Sequence, residues 1–367
     1  MVIIDGGRLD RAKNSAVFNK LKSHSVFFSQ TITYAPYTTA AMHALASGCY
    51  GNRTNTNSYW HSYKFKKDRF KSLIEYLNDN KYYSCGNGQS ELILANHGFN
   101  EFNVHDERKD DLIKQHITLL EQMKKIYDKG TNFLLLLVYS NIHTGIVDEV
   151  MKVYNNFSKE YFDSRTLNER RYDKLFKKAE NYLEKILNKI QNLHLDDDSI
   201  ILVTSDHGIS VGEKFGERAY GAFLYDYTVK TFAYLCAKDL PVKEITTQVR
   251  HVDFMPTILD YLEIPLDQSY EKLDGESLLP LIYGKKVEEK IAYSETGNPL
   301  NNNEPPRSPN TKSIRISNWK LIFNEYNNTR ELYNLENDPD EKINLAGTRL
   351  KIEDILWNEF KKIQKTY

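Results

Sequence analysis

The chain has 367 residues, enough for one large α/β domain with an appendage or for two domains. Lys and Arg total 49 against 50 Asp and Glu, so the formal net charge is -1, which excludes a general electrostatic pull toward nucleic acid or an anionic membrane. Hydrophobic residues at 40 % and charged residues at 27 % are ordinary for a soluble globular protein, and no apolar run is long enough for a membrane span.

Three cysteines, Cys49, Cys85 and Cys236, match no zinc spacing and are too few for a disulfide framework in a chain of this size. Buried or idle thiols in a reducing compartment are expected. No signal peptide is visible ahead of Val2, so a cytoplasmic protein is expected.

In chain order, Val2-Ile3-Ile4 is a short β-branched run ending in Asp5-Gly6-Gly7, and it predicts a buried strand that carries a carboxylate at its end. Residues 25–28 predict a second strand. Residues 38–46 are Ala-rich and predict a helix ending at Gly48; residues 70–78 predict another. The run Phe133 to Tyr139 is fully apolar and predicts a central strand leading into Ser140-Asn141-Ile142-His143. Leu175, Ala179, Tyr182, Leu183, Ile186 and Ile190 place a long amphipathic helix over 172–193. A turn at Asp196 to Asp198 precedes a strand over 199–204, followed by Ser205-Asp206-His207-Gly208. Residues 231–236 predict a strand and 252–262 a helix.

Strands alternating with helices predict an α/β fold, a mainly parallel central sheet sandwiched by helices. The texture changes near residue 287. Residues 1–286 are expected to form the main α/β domain, and 287–367 a C-terminal α+β subdomain. Its short strands over 291–294, 313–316 and 320–323 predict a small antiparallel sheet, joined by a terminal helix over 352–363. The loop 296–312 is rich in Asn and Pro.

Polar residues cluster past three predicted strands: Asp5, His143, and Asp206 with His207. Open α/β sheets bind ligands at the carboxyl ends of their strands, so these segments are expected to converge. Asp206 and His207 side by side can offer one oxygen and one nitrogen to one divalent cation, with Gly208 letting the backbone turn. An isolated Asp-His-Gly reads as a capping Asp and a surface His. Asp5 changes that balance, because a carboxylate ending a buried strand is costly unless it is paired or metal-bound. Thr38 opens the Ala-rich helix. Its bland role is an N-cap; its chemical role is a metal-activated hydroxyl nucleophile beside a helix N-terminus that suits an oxyanion.

Taken together, these residues resemble the sulfatase-like branch of the alkaline phosphatase superfamily. V-I-I-D-G-G-R at Val2 to Arg8 looks like its first strand with the metal-binding Asp. T-T-A-A-M-H-A-L-A-S-G at Thr38 to Gly48 looks like its nucleophile helix, and T-S-D-H-G at Thr204 to Gly208 like its second metal segment. V-D-F-M-P-T-I-L at Val252 to Leu259, D-G-E-S-L-L-P-L at Asp274 to Leu281, and the stretch from Glu331 to Leu345 are similar to further landmarks, all in order.

The departures are informative. The family's formylglycine motif needs Cys or Ser with an Arg four residues on; here those positions are Thr38 and Met42. Cys49 and Arg53 have the separation but lack the Pro or Ala between them and follow the helix. The family's Lys-x-His element is not visible around Tyr82 to Asn87, nor is its His near Tyr220. A plain Thr nucleophile is similar to relatives that cleave phosphodiesters or transfer phosphoglycerol groups.

The resemblance therefore implies one divalent metal ion (Mn, Zn, Mg or Ca) held by Asp5, Thr38, Asp206 and His207, with Thr38 attacking a phosphate or phosphonate ester. His143 is expected to bind a substrate oxygen or protonate the leaving group, in competition with a surface loop role. Lys214 and Arg218 are expected to hold the anion, against a solvated charged loop. The implied partner is an anionic ester, with a glycan or lipid-linked precursor as the guess for its organic half. The alternatives are a sulfuric ester hydrolase and a non-catalytic anion- or glycan-binding protein that has kept the fold, with a cofactor-independent phosphate mutase last. Trp60 to Lys71 interleaves aromatic and basic residues and is read as the start of an amphipathic helix rather than as a strand-binding surface. His97, His105 and His251 show no ligand spacing and are read as structural.

Overall fold

The computed structural model describes residues 1–151, 159–217, 219–300, 304 and 306–366. Its main sheet has nine strands: β1 (Val2–Ile4), β2 (Val26–Ile32), β3 (Tyr83–Gly88), β4 (Glu101–Val104), β5 (Phe133–Tyr139), β6 (Ile201–Thr204), β7 (Lys230–Cys236), β8 (Lys243–Ile245) and β9 (Val249–Arg250). They run in the order β4-β3-β5-β1-β6-β7-β2-β8, with β9 also on β2. All pairs are parallel except those of β7 with β6 and with β2. The fold is α/β with a mainly parallel sheet.

The central three strands, β5-β1-β6, are the apolar runs seen in the sequence. Leu135 to Tyr139, Val2 to Ile4 and Leu202 to Thr204 are all buried, as strands covered by helices on both faces must be. The long helix Arg165–Asn192 buries Tyr172, Leu175, Phe176, Ala179, Tyr182, Leu183, Ile186 and Ile190 on one face of the sheet. The helix Thr38–Ser47 buries Met42, Leu45 and Ala46 on the other and ends where Gly48 turns left-handed at φ 63.

The long helix also fixes the turn after β1. The Tyr172 hydroxyl donates to the Gly6 carbonyl at 2.7 Å and accepts from the Arg8 N–H at 2.8 Å. One buried phenol thus holds the peptide that presents Asp5.

Five strands went unseen in the sequence: β3, β4, β8, β9 and one over Thr329–Asn334 in the second sheet. β3 reads Y-S-C-G-N-G, a poor strand by propensity. Its glycines answer to packing: a Cβ on Gly86 would lie 2.6 Å from the Phe102 ring, and one on Gly88 2.9 Å from Ile93. β4 and the helix Leu112–Tyr127 complete that edge. The helical reading of Trp60 to Lys71 is corrected: a single 3₁₀ turn at Tyr59–His61 is followed by irregular chain up to Leu73.

A second, antiparallel sheet follows: β10 (Ala292–Thr296), β11 (Thr311–Ile316), β12 (Trp319–Asn324) and β13 (Thr329–Asn334), in sequential order. The terminal helix Lys351–Thr366 packs Leu356 and Phe360 into a shared cluster with Ile314, Leu321, Tyr34 and Tyr37. That cluster carries the small sheet against the segment leading into Thr38. Cys49, Cys85 and Cys236 are free thiols. Among the described residues, no helix is long and apolar enough to cross a membrane.

Candidate metal centre and active site

Adjacent strands deliver the polar residues. Asp5 follows β1, its N–H donating to the Tyr139 carbonyl of β5 at 3.1 Å. Asp206 and His207 follow β6, and Thr38 begins its helix opposite them. Asp5, Asp206 and His207 are fully buried and each offers a ligand atom within 4.8 Å of the others.

Each carboxylate has one oxygen tied down. Asp206 Oδ1 accepts from the Gly6 N–H at 3.1 Å and the His207 N–H at 2.9 Å. Asp5 Oδ2 accepts from Gln89 Nε2 at 2.7 Å. The other two oxygens, Asp5 Oδ1 and Asp206 Oδ2, have no hydrogen-bond partner among the described residues. They lie 3.5 Å and 3.6 Å from His207 Nε2.

The His207 ring is oriented by its other nitrogen. Nδ1 lies 2.8 Å from the Gly208 carbonyl oxygen, which only accepts, so Nδ1 carries a proton. In the neutral ring the Nε2 lone pair then faces two carboxylate oxygens. Three electron-rich atoms converging in a buried space repel unless a cation sits among them. Two hard oxygens and an imidazole nitrogen suit a divalent ion, and the backbone carbonyl behind the ring is the usual support of a ligating His. The residues therefore fit the metal that the family resemblance implies.

Thr38 Oγ1 lies 3.3 Å from His207 Nε2, and Thr38 is 8 % exposed. Tyr37 occupies the N-cap and makes no side-chain cap bond, so the Thr38 hydroxyl is free of the capping role that a helix-opening Thr often has.

Gly208, expected to let the backbone turn, is also required by packing. Its φ is not positive; a Cβ there would lie 2.1 Å from the Tyr227 carbonyl oxygen, and its N–H donates to the Thr228 carbonyl at 2.8 Å. The glycine admits a second backbone behind the metal segment.

His143 reaches the site from the helix Asn141–Ile146. Its Nδ1 lies 3.9 Å from Asp5 Oδ2 and 3.0 Å from the Tyr220 hydroxyl. Burial lowers its pKa, opposed by the nearby carboxylates of Glu107 and Asp206. Asp5 is pushed well above the usual carboxylate range by burial first and by the Asp206 charge second.

Four residues that the sequence did not single out complete the surroundings. Gln89 lies just past β3 and holds Asp5. Tyr220 tilts its ring 4.9 Å from the His207 ring while contacting His143. Tyr59 stacks on Tyr37 at 4.3 Å. Its ring is 38 % exposed, yet desolvation of the hydroxyl end and then the Asp5 and Asp206 charges push its pKa up. Glu107 accepts from the Thr144 hydroxyl at 3.1 Å. Only Gln89 had a readable signal, a polar residue at a strand end, and its strand was itself missed.

Lys214, expected on the anion, has its ammonium engaged with the second sheet. Its ammonium donates to the Glu341 carbonyl and lies 4.5 Å above the Tyr225 ring and 5.4 Å from that of Tyr333. It clamps the post-β6 loop to the second sheet. Arg218, the other expected anion ligand, lies outside the described residues.

His97 and His105 have partners away from this centre, whereas the Asp206 and His207 charges both reach His251. His97 Nε2 meets His43 Nδ1 at 2.7 Å, His105 bridges Asn87 and Ser140, and His251 Nε2 is 3.1 Å from the Thr231 hydroxyl.

The chain is 24 % identical over 189 residues to choline-sulfatase of Rhizobium meliloti, which is 50 % of this chain and 35 % of that protein. It is 29 % identical over 197 residues to an ulvan-active sulfatase of Formosa agariphila, 45 % of this chain and 36 % of that protein. The matched stretch thus spans about a third of these relatives' length. The same fold occurs in the phosphonate monoester hydrolase of Silicibacter pomeroyi (TM-score 0.75, 15 % identity, 100 % of this chain and 94 % of that one). It also occurs in a protein solved with its substrate D-glucosamine-2-N,6-O-disulfate (TM-score 0.75, 15 % identity, 100 % and 97 % covered). Residues 222–366 match the C-terminal region of N-sulphoglucosamine sulphohydrolase. Residues 9–264, well over half the chain and including Thr38, Asp206 and His207, match the Sulfatase family profile, and the chain belongs to the sulfatase family.

Proposed function

We propose that the protein is a metal-dependent hydrolase of a phosphate or phosphonate ester that uses Thr38 as its nucleophile. One observation carries the reading. The two buried, unpartnered carboxylate oxygens of Asp5 and Asp206 converge on His207 Nε2, and the Thr38 hydroxyl lies beside the same nitrogen.

Asp5, Asp206, His207 and Thr38 are the residues that would hold the metal. A bound divalent ion supplies Lewis acidity, which lowers the pKa of a hydroxyl and offsets charge on an ester oxygen. Thr38 Oγ attacks phosphorus. Thr38 gives up its hydroxyl proton to solvent, a bond from its Oγ to phosphorus forms, the bond to the ester oxygen breaks, and the leaving oxygen takes a proton from His143. The product is a phosphoryl-threonine. His143, now neutral, accepts a proton from a water that attacks the same phosphorus, the bond from phosphorus to Thr38 Oγ breaks, and the Thr38 oxygen takes a proton from solvent to restore the hydroxyl. Gln89 keeps Asp5 aimed inward, and the Tyr220 hydroxyl keeps the His143 ring turned to the site. Tyr59 and Tyr220 close the sides with aromatic surface and exclude water.

Thr38 favours phosphorus over sulfur, because the formylglycine chemistry of sulfatases needs a Cys or Ser precursor. The phosphonate monoester hydrolase among the structural neighbours supports this preference. Sulfate ester hydrolysis is the second reading, favoured by the named sulfatases among the relatives. Turnover of aryl phosphate, phosphodiester, phosphonate and sulfate esters by metal-loaded protein, with Thr38→Ala alongside, tests both. Turnover of a phosphorus ester that disappears in Thr38→Ala supports the first reading. Sulfate ester turnover that survives Thr38→Ala overturns it.

A further inference from the structure

A second polar cavity of about 420 Å³ lies where the main sheet meets the small one. Arg8 from the turn after β1, Gln30 of β2, Asp226 and Tyr227 from the short helix before β7, Lys230 of β7 and Arg315 of β11 line it. None of these residues has a role in the site above.

The cationic groups here are under-neutralised. Arg315 is 2 % exposed. Its two terminal nitrogens donate to Gln248 and to Gln30 Oε1, the latter at 2.7 Å, both neutral acceptors. Its Nε has no hydrogen-bond partner among the described residues. The nearest acid, Asp226, is 3.5 Å away and already holds Lys320 at 2.5 Å. Lys230 Nζ lies 4.0 Å from Asp226 and makes no closer ion pair among the described residues. Of the other acids on the lining, Asp10 is taken by Arg8 and Arg11, and exposed Asp340 by Lys342. Lys320 is also held by Glu341 at 2.8 Å, which leaves Arg315 and Lys230 to share Asp226 without a short contact to it.

Burial lowers the pKa of Lys230; Asp226 opposes this, and the neighbouring Arg315, Lys13 and Lys320 charges add to the lowering. A buried guanidinium N–H without an acceptor is costly and rare. The arrangement is held by a built feature of the fold. The β2–β7 register shifts between Phe28 and Thr31, and Gln30, inside that bulge, has its amide on Arg315.

We propose that this cavity is a second anion site, taking a tetrahedral oxyanion group between Arg315 Nε and Lys230 Nζ. Guanidinium and ammonium donors are the preferred partners of phosphate and sulfate oxygens. The group can arrive as a free ion or as a substituent on a larger ester.

The test is calorimetric titration of the intact, chelator-treated protein with inorganic phosphate, and separately with a sugar phosphate. Saturable binding is expected, weakened at least tenfold by Lys230→Gln, retained by Lys230→Arg, and unchanged by Thr38→Ala or by Lys285→Gln on the exposed surface. Sugar phosphate binding more tightly than phosphate, with the same Lys230 dependence, identifies a substituent site; equal affinity identifies a free-ion site. The proposal is overturned if wild type shows no saturable binding, or if folded Lys230→Gln binds phosphate as wild type does. Binding lost in Thr38→Ala but kept in Lys230→Gln assigns the anion to the other site and overturns it equally. Failure of ester turnover leaves these readings untouched.

Discussion

Asp5 Oδ1 lies 3.5 Å from His207 Nε2; among the described residues that oxygen has no hydrogen-bond partner, while Nε2 has the Thr38 hydroxyl at 3.3 Å and the opposite ring nitrogen is bound to the Gly208 carbonyl. A carboxylate and an imidazole held face to face in this way are stable together only around a cation, either a proton or a metal.

That relationship makes metal and stability inseparable. Wild type is expected to gain thermal stability on addition of Mn²⁺ or Zn²⁺, by about 2.7 kcal/mol at a free metal concentration near 100 Kd. Asp206→Asn keeps the Oδ1 contacts to Gly6 and His207 but removes a buried charge. It is expected to melt higher than wild type in chelator and to gain far less from metal. Differential scanning calorimetry with and without metal reads both signs; a variant that responds to metal as wild type does would remove Asp206 from the ligand set.

Thr38 makes no cap bond, so its loss is chemical rather than structural. Thr38→Ala is expected to lower kcat/KM for a phosphorus ester by at least about 10³-fold, with a melting temperature close to wild type. Thr38→Ser should keep measurable turnover. Intact-protein mass spectrometry of quenched reactions should find the phosphoryl adduct on wild type and not on Thr38→Ala.

His143 is expected to matter in proportion to leaving-group basicity. His143→Asn should cost about 10²- to 10⁴-fold with an alkyl ester and less than about tenfold with a nitrophenyl ester, which leaves without a proton. Equal losses on both would assign His143 to binding instead.

Gly208 is a packing requirement. Gly208→Ala puts a methyl 2.1 Å from the Tyr227 carbonyl oxygen, both groups being backbone-fixed. A loss of at least about 3 kcal/mol in urea unfolding is expected, together with loss of metal, since the segment bearing Asp206 and His207 must shift.

Acid should weaken the nucleophile helix through His43. Burial lowers its pKa to about 4 from an ordinary 6.5, and His97, its 2.7 Å partner, is lowered by burial and by His43 itself. Both are held neutral, so the folded state binds fewer protons than the unfolded chain between these values. Stability is then fully present above about pH 6.5 and falls as the pH drops toward 4, by roughly 3 kcal/mol for His43. His43→Gln should flatten that slope in chemical unfolding measured from pH 7 to pH 4.

Much of the centre was legible in the chain alone. Val2 to Ile4, Phe133 to Tyr139 and Ile201 to Thr204 are apolar beyond what any exposed strand tolerates, so burial, strand type and the polar residue at each carboxyl end followed from local pattern. Asp5, Asp206, His207 and Thr38 could be named because each directly follows such an element or opens a helix. Only the tertiary structure decided what surrounds them. Gln89 sits past a strand whose glycines make sense once Phe102 and Ile93 are in place. Tyr59 and Tyr220 face the site through loops with no period. The contacts of Lys214 with Tyr225, Tyr333 and the Glu341 carbonyl join segments far apart in the chain. Periodicity reports which face of an element is buried, whereas the partners of a side chain are set by pairings far apart in sequence, and no local pattern encodes those.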